Sequence, residues 1–139
     1  MYKTLLIISA FLFAGCQDKA MTHFYDKSIA SKPIGCLRLQ VVPDNAEYKK
    51  VLESLYRFND NCNMTLNVSY KSGIVCNSSY NAARKTLSNF PSSYLNMELR
   101  QGMSLLYSYY IDLEGKPDSA DIKSAWKRIN SDLKITPQN

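Results

Sequence analysis

The chain has 139 residues, of which 17 are basic and 12 acidic, and its formal net charge is +5. This length is suited to one domain with a core of ordinary size. The lysines and arginines are scattered along the chain, as on a solvated surface, so we expect no nucleic-acid partner. A mildly basic surface is suited instead to anionic lipid headgroups or to an acidic protein.

The segment Met1–Cys16 carries one lysine, then a mainly apolar run, then small residues directly before a cysteine. The run has about a dozen residues, whereas roughly 20 are needed to cross the core of a bilayer. A charged start, a short apolar centre and a small-residue cleavage site predict a secretory signal peptide over residues 1–15. An ordinary signal peptide with an incidental cysteine is the alternative interpretation.

Leu12-Phe13-Ala14-Gly15-Cys16 resembles the lipobox of bacterial lipoproteins, although Phe13 stands where leucine is usual. The resemblance implies that Cys16 is diacylated and becomes the first residue of the mature chain. This covalent lipid is the only attached group that we expect, with no other cofactor. Aspartate directly after the cysteine tends to retain such proteins in the inner membrane, and here that residue is Gln17. The resemblance therefore implies the periplasmic face of the outer membrane, with the inner membrane left open because Asp18 follows.

Residues 16–34 lack an apolar period and include Ser, Lys, Asp and Pro, so we predict an acylated tether there. Residues 35–139 then form a single periplasmic domain. Its first predicted element is a short strand, Cys36–Val42. A helix over Asn45–Phe58 follows Pro43 and is capped by Asp44.

The segment Met64–Val75 alternates apolar and polar residues at its start, which is a strand pattern. Lys71-Ser72-Gly73 could turn the chain into a second short strand. A loop held by a disulfide is the alternative for the same segment.

The remaining sequence predicts three helices, over residues 77–90, 94–113 and from Asp118 to about residue 134. The middle helix depends on apolar residues that recur in steps of four or three: Leu95, Leu99, Met103, Leu106, Tyr110 and Leu113. The expected fold is therefore α-rich (α+β), with about four helices and a two- or three-stranded sheet or a disulfide-closed loop.

Three cysteines remain after Cys16, namely Cys36, Cys62 and Cys76, and an exported protein favours a disulfide. We favour the pair Cys62–Cys76, and pairing of Cys36 with either of them stays open. The spacings lack a close pair and the single histidine, His23, falls in the predicted tether, so we expect no metal site.

No Ser/His or Cys/His arrangement is expected with one histidine in a tether, and the common catalytic motifs are missing from the sequence. Glu98 with Asp112 or Glu114 could in principle act as paired carboxylates, but solvated charges are the simpler interpretation. We therefore expect no enzyme activity.

Four residues form a hypothetical partner-binding face: Arg100, Tyr107, Lys123 and Lys127. The alternative for Tyr107 is packing against the last helix. The tyrosine-rich composition, with ten tyrosines, is suited to a surface that binds another protein.

A small lipid-anchored domain without a catalytic arrangement is expected to work by binding a protein. One class of this size and location is the periplasmic immunity protein, which occludes an antibacterial toxin such as a type VI secretion effector. Another is the pilotin, which assists a secretin or another secretion or pilus component. A cell-wall hydrolase is a third hypothesis, against which the missing acid and base argue.

Overall fold

The computed structural model describes residues 20–74 and 91–137. They form a five-stranded sheet of strand order β1-β5-β4-β3-β2, with two helices packed on one face. A 3-10 helix, Lys27–Ala30, lies between the first two strands. The elements are β1 Met21–Phe24, β2 Arg38–Val42, α1 Ala46–Leu55, β3 Met64–Lys71, β4 Ser93–Gln101, β5 Ser104–Leu113 and α2 Ser119–Asp132. The strands β2 and β3 are parallel and joined through α1, and the other neighbours are antiparallel.

The predicted α-rich fold with four helices is wrong, because most of the described elements are strands. The error lies mainly in residues 94–113, which form the hairpin of β4 and β5 instead of one helix. Apolar residues four apart share a face in a strand as well as in a helix, since four is a multiple of the strand period of two. The predicted helix over residues 77–90 lies outside the described residues.

The hairpin turn consists of Gly102 and Met103, between the paired residues Gln101 and Ser104. Gly102 has φ 58°. A two-residue loop with glycine in this conformation at its first position matches the twist of the flanking strands. Gly102 therefore forms a turn, where the sequence predicted the middle of a helix.

Both helices of the described chain were predicted, with boundaries shifted by a few residues. The cap of α1 is Asn45, one residue after the predicted Asp44, and its side chain accepts a hydrogen bond from the backbone N–H of Tyr48. The cap of α2 is Asp118, in a reciprocal arrangement with Asp121. Such caps satisfy N–H groups that a helix start leaves unpaired.

The core lies between the sheet and the two helices. Alternate side chains of the central strands point into it, including Leu66, Val68, Leu95, Met97, Leu99, Tyr107 and Tyr109. The helix α2 contributes its predicted apolar face: Ile122, Ala125, Trp126 and Ile129. The hydroxyl of Tyr107 donates to Asp132 of α2 at 2.8 Å, which fixes this helix against β5.

The predicted tether over residues 16–34 is wrong for its described part, residues 20–34. Met21–Phe24 pairs with Tyr107–Tyr110 as the edge strand β1, and the ring of Phe24 packs on that of Tyr107 at 5.0 Å. Ile29 of the 3-10 helix is buried. Met21–Phe24 is too short to reveal an apolar period, and its ladder partner β5 is far away in the sequence.

The disulfide joins Cys36 to Cys62, with the Cα atoms 5.6 Å apart. The favoured pairing of Cys62 with Cys76 is therefore wrong, and one of the pairings that the sequence left open is present. Cys36 precedes β2 and Cys62 precedes β3. Because these strands are parallel neighbours, their starting ends come together at one edge of the sheet. Cys76 lies outside the described residues.

We expect the domain to lose stability at alkaline pH partly through Tyr48, which is fully buried in α1 and donates to the carbonyl oxygen of Pro117. Burial raises the pKa of Tyr48 from 10.0 to about 12. Since the folded protein holds this proton more tightly than the unfolded chain, the contribution is complete below pH 10 and is lost as pH rises towards 12.

The measurement is the free energy of unfolding of the wild type and of Tyr48→Phe across this range. Both proteins share the other tyrosines, so the difference between them reports Tyr48 alone. The stability advantage of the wild type should shrink as the pH rises. A constant difference would contradict the assignment.

Candidate functional site

The strands present a second face, directed away from α1 and α2, which we call the outer face. Its side chains are those that alternate with the core residues along each strand. They are mostly polar, and most are half-buried. The outer face comprises Arg38, Gln40, Thr65, Asn67, Ser69, Tyr94, Asn96, Glu98, Arg100, Ser108 and Tyr110.

Two arginines flank a hydroxyl group at one end of the outer face. Thr65 of β3 pairs with Arg38 of β2 on one side and with Arg100 of β4 on the other. The Nε and Nη2 atoms of Arg38 lie 3.3 and 3.2 Å from the Oγ1 atom of Thr65. Two strand spacings separate the arginine Cα atoms by roughly 10 Å. This arginine row concentrates positive charge and N–H donors.

A shallow depression borders the arginine row at the end of the sheet. Its walls combine the disulfide, the polar loop before β3 and the hairpin turn: Arg38, Asp60, Asn61, Cys62, Asn63, Gln101 and Gly102. The loop is held in place by the disulfide. Amide side chains here extend the hydrogen-bonding surface beyond the strands.

A hydrogen-bonded network occupies the middle of the outer face. The side-chain amide of Asn96 donates to Ser69 at 3.4 Å and to Glu98 at 3.1 Å. Arg100 donates through Nε to the other oxygen of Glu98 at 2.7 Å. The Oδ1 atom of the neighbouring Asn67 is buried and has no hydrogen-bond partner among the described residues. The network fixes the rotamers of long polar side chains, so the surface is ordered before any partner arrives.

Two tyrosines lie at the other end of the outer face. The rings of Tyr94 and Tyr110 stack at 5.6 Å with an angle of 25° between their planes. The Tyr110 hydroxyl donates to Asp112 at 2.7 Å. Burial and this bond to a carboxylate raise the pKa of Tyr110 to about 12, so the phenol stays neutral and able to donate. The tyrosines give the face an apolar part beside its charged part.

The structure does not bring the four predicted partner-binding residues together. Arg100 lies on the outer face, whereas Lys123 and Lys127 are exposed on α2, on the other side of the sheet. Tyr107 is fully buried between the layers, which agrees with its alternative interpretation as a core residue. Burial and the bond to Asp132 raise its pKa. Of the four, only Arg100 belongs to the candidate site.

Two of the three carboxylates considered for acid–base chemistry have other partners. Glu98 is ion-paired with Arg100, and Asp112 accepts from Tyr110. In residues 20–74 and 91–137, no group of three or more His, Cys, Asp and Glu side chains is arranged to hold a metal ion. Neither helix in these ranges is long and apolar enough to cross a membrane.

Arg38, Thr65 and the partners of Glu98 were not predicted from the sequence to lie in one site. A signal was present: Asn96, Glu98 and Arg100 alternate with apolar residues, which is the pattern of a strand with one buried face. The position of Arg38 beside Thr65 required the pairing of β2 with β3, which no local pattern contains.

No protein-family model, curated protein or solved structure matches this chain.

Proposed function

We propose that this chain is a lipid-anchored binding protein of the bacterial periplasm, attached to the outer membrane through Cys16. We propose further that it is an immunity protein, which occludes an antibacterial toxin acting in the periplasm, of the type VI secretion effector kind. The observation that supports this proposal is the outer face. It offers one ordered polar surface across β2, β3, β4 and β5, away from the helices.

The size of the outer face is suited to a protein partner. The four strands that supply the outer face span roughly 15 Å, and with the length of the central strands the projected area is roughly 400 Å². A typical interface buries roughly 800 Å² on each partner, so the surrounding loops would supply the remainder. A flat surface of this extent matches the rim of an enzyme cleft better than it encloses a small molecule.

The charges of the outer face favour an acidic partner surface. The arginine row presents guanidinium groups that can bind carboxylates in a bidentate manner. Glu98 neutralises part of Arg100, whereas Arg38 forms no ion pair among the described residues and hydrogen-bonds to the Thr65 hydroxyl. Ordered donors lose little side-chain entropy on binding, and that favours affinity.

The alternative function, that of a pilotin, is no longer supported by the fold class. The comparison with pilotins and with immunity proteins used size, location and an α-rich fold, and the sheet removes the last of these for both. The outer face supports occlusion of a toxin, because a broad and rigid surface can cover the opening of a cleft. We therefore keep the immunity protein as the proposal.

The proposal is tested by capturing partners from cell envelopes and assaying the captured protein with the purified domain. The wild type should recover a hydrolytic toxin and inhibit it. The double variant Arg38→Glu/Arg100→Glu should bind at least about tenfold more weakly, because it places like charges against the acidic surface. Lys123→Glu/Lys127→Glu changes the total charge equally on the α2 surface and should bind normally.

Equal loss of binding in both double variants would show that net charge, not the outer face, determines recognition. Recovery of a secretin multimer in place of a toxin would contradict the immunity function and favour the pilotin.

A further inference from the structure

The edge strand β1 carries an exposed strip at the border of the outer face, since Met21 pairs with Tyr110 and His23 with Ser108. Met21 and Tyr25 are 60% and 56% exposed, and both rank among the large hydrophobic side chains that the described chain leaves most open to solvent. His23 lies between them and is exposed, and its ring packs edge-on against that of Tyr25 at 4.5 Å. We call these three residues the β1 strip.

The β1 strip follows the proposed lipid attachment point closely. Only Gln17, Asp18 and Lys19 separate Cys16 from Ala20, the first described residue. Five residue steps from Cys16 to Met21 span at most about 18 Å, even in a fully extended chain. The headgroup layer on each side of a bilayer is roughly 5–8 Å thick. Acyl chains on Cys16 would therefore keep β1 within about 18 Å of the bilayer surface, so that it can reach the headgroups.

Apolar and aromatic side chains at this depth are stabilised by the interface, where tyrosine places its ring among lipids and its hydroxyl in water. Lys27 and Lys32, both exposed in the segment between β1 and β2, add positive charge, although Asp26 offsets part of it. Two acyl chains on Cys16 would already anchor the protein. A contact of the protein with the same surface is then favoured, because the anchor raises its effective concentration there.

We propose that the β1 strip is a second membrane contact, which lays the β1 edge of the sheet on the phospholipid bilayer that holds the Cys16 lipid. This inference rests on the proposed lipid anchor. It also orients the candidate site. The arginine row lies on β2, β3 and β4, across the sheet from β1 and at the strand ends farther from Ala20. The contact would therefore direct the arginine row away from the membrane.

The test uses the acylated protein in vesicles of phosphatidylethanolamine and phosphatidylglycerol, with methyl-labelled methionine and a paramagnetic label on the lipid headgroups. Met103, which is 95% exposed at the hairpin turn, is a matched control within the same molecule. The Met21 signal should be broadened several-fold more strongly than that of Met103. Tyr25→Ser should reduce this ratio. Leu55→Ser, which removes an exposed side chain from α1, should leave it unchanged.

Equal broadening of Met21 and Met103 would overturn the second contact, since the domain would then reorient freely on its tether. Stronger broadening of Met103 would overturn it as well, because the opposite end would face the bilayer. Mass spectrometry of the same sample separates the two proposals. Absence of acyl chains on Cys16 contradicts the anchor itself, whereas acylated protein with equal broadening contradicts only the membrane contact.

Discussion

Trp126→Ala is expected to destabilise the domain by about 3–5 kcal/mol, the range found when a large buried aromatic is removed and a cavity remains. The Trp126 side chain is 4% exposed, and its ring lies 5.5 Å from that of Tyr56 and 5.9 Å from that of Phe58. These rings join α2 to the end of α1 and the loop after it. The free energy of unfolding of a small domain is roughly 5–15 kcal/mol, so this loss would be a large share of the total stability.

The measurement is urea unfolding followed by circular dichroism, because Trp126 is the only tryptophan and its replacement removes the fluorescence signal. Lys127→Ala is the matched control, since Lys127 is the next residue of α2 and is exposed. It should change stability by no more than about 0.5 kcal/mol. A loss below about 1 kcal/mol for Trp126→Ala would contradict the packing described here.

The double variant Cys36→Ala/Cys62→Ala should lose about 3.5 kcal/mol of stability. The two cysteines are 26 residues apart in sequence, and the chain-entropy model gives this value for a closed loop of that length. Alanine is chosen because Cys62 is 5% exposed and a serine hydroxyl there would be buried. Loss of the disulfide would also loosen the loop that borders the arginine row, so outer-face binding should weaken too.

Unfolding of the wild type and the double variant by urea measures this difference, and dithiothreitol should lower the stability of the wild type alone. The pairing itself is checked by peptide mapping without reduction. A peptide that links Cys62 to Cys76 would contradict the structure, as would a double variant as stable as the wild type.

The elements that local patterns predicted correctly are those whose signal lies within a few residues. The helix α2 has a capping residue, an apolar face and a helix-breaking Pro117 before its start, and each of these acts locally. The strand β3 shows its alternation in Leu66, Val68 and Tyr70. No distant contact was needed to recognise either element.

The hairpin β4–β5 shows why other predictions failed. Leu95 and Leu99 are four residues apart and fit both a helix face and a strand face. The deciding residues were Met97 and Glu98, since strict alternation places the first in the core and the second on the outer face. In a helix that buries Leu95 and Leu99, Met97 would lie on the opposite side, away from the core. The sequence contains this alternation, but its four-residue steps fit a helix as well.

The candidate site was only partly accessible from the sequence. Arg100 was recognised as a surface residue that could bind a partner, but it was grouped with Lys123 and Lys127. That grouping placed Arg100 and Tyr107 on one side of a predicted helix over residues 94–113. With the hairpin in place, the sheet separates Arg100 from α2 and brings it beside Thr65 and Arg38.

The sequence by itself determined the expectation of an exported, acylated chain, the two helices of the described residues and the presence of strands at β2 and β3. These features depend on short-range chemistry: an apolar run before a cysteine, helix caps and local alternation. The tertiary structure alone decided the strand order, the partner of Cys36, the role of β1 and the composition of the outer face. Each of these features depends on which distant segments lie side by side. Strand pairing determines this through hydrogen bonds between residues that are far apart in the chain.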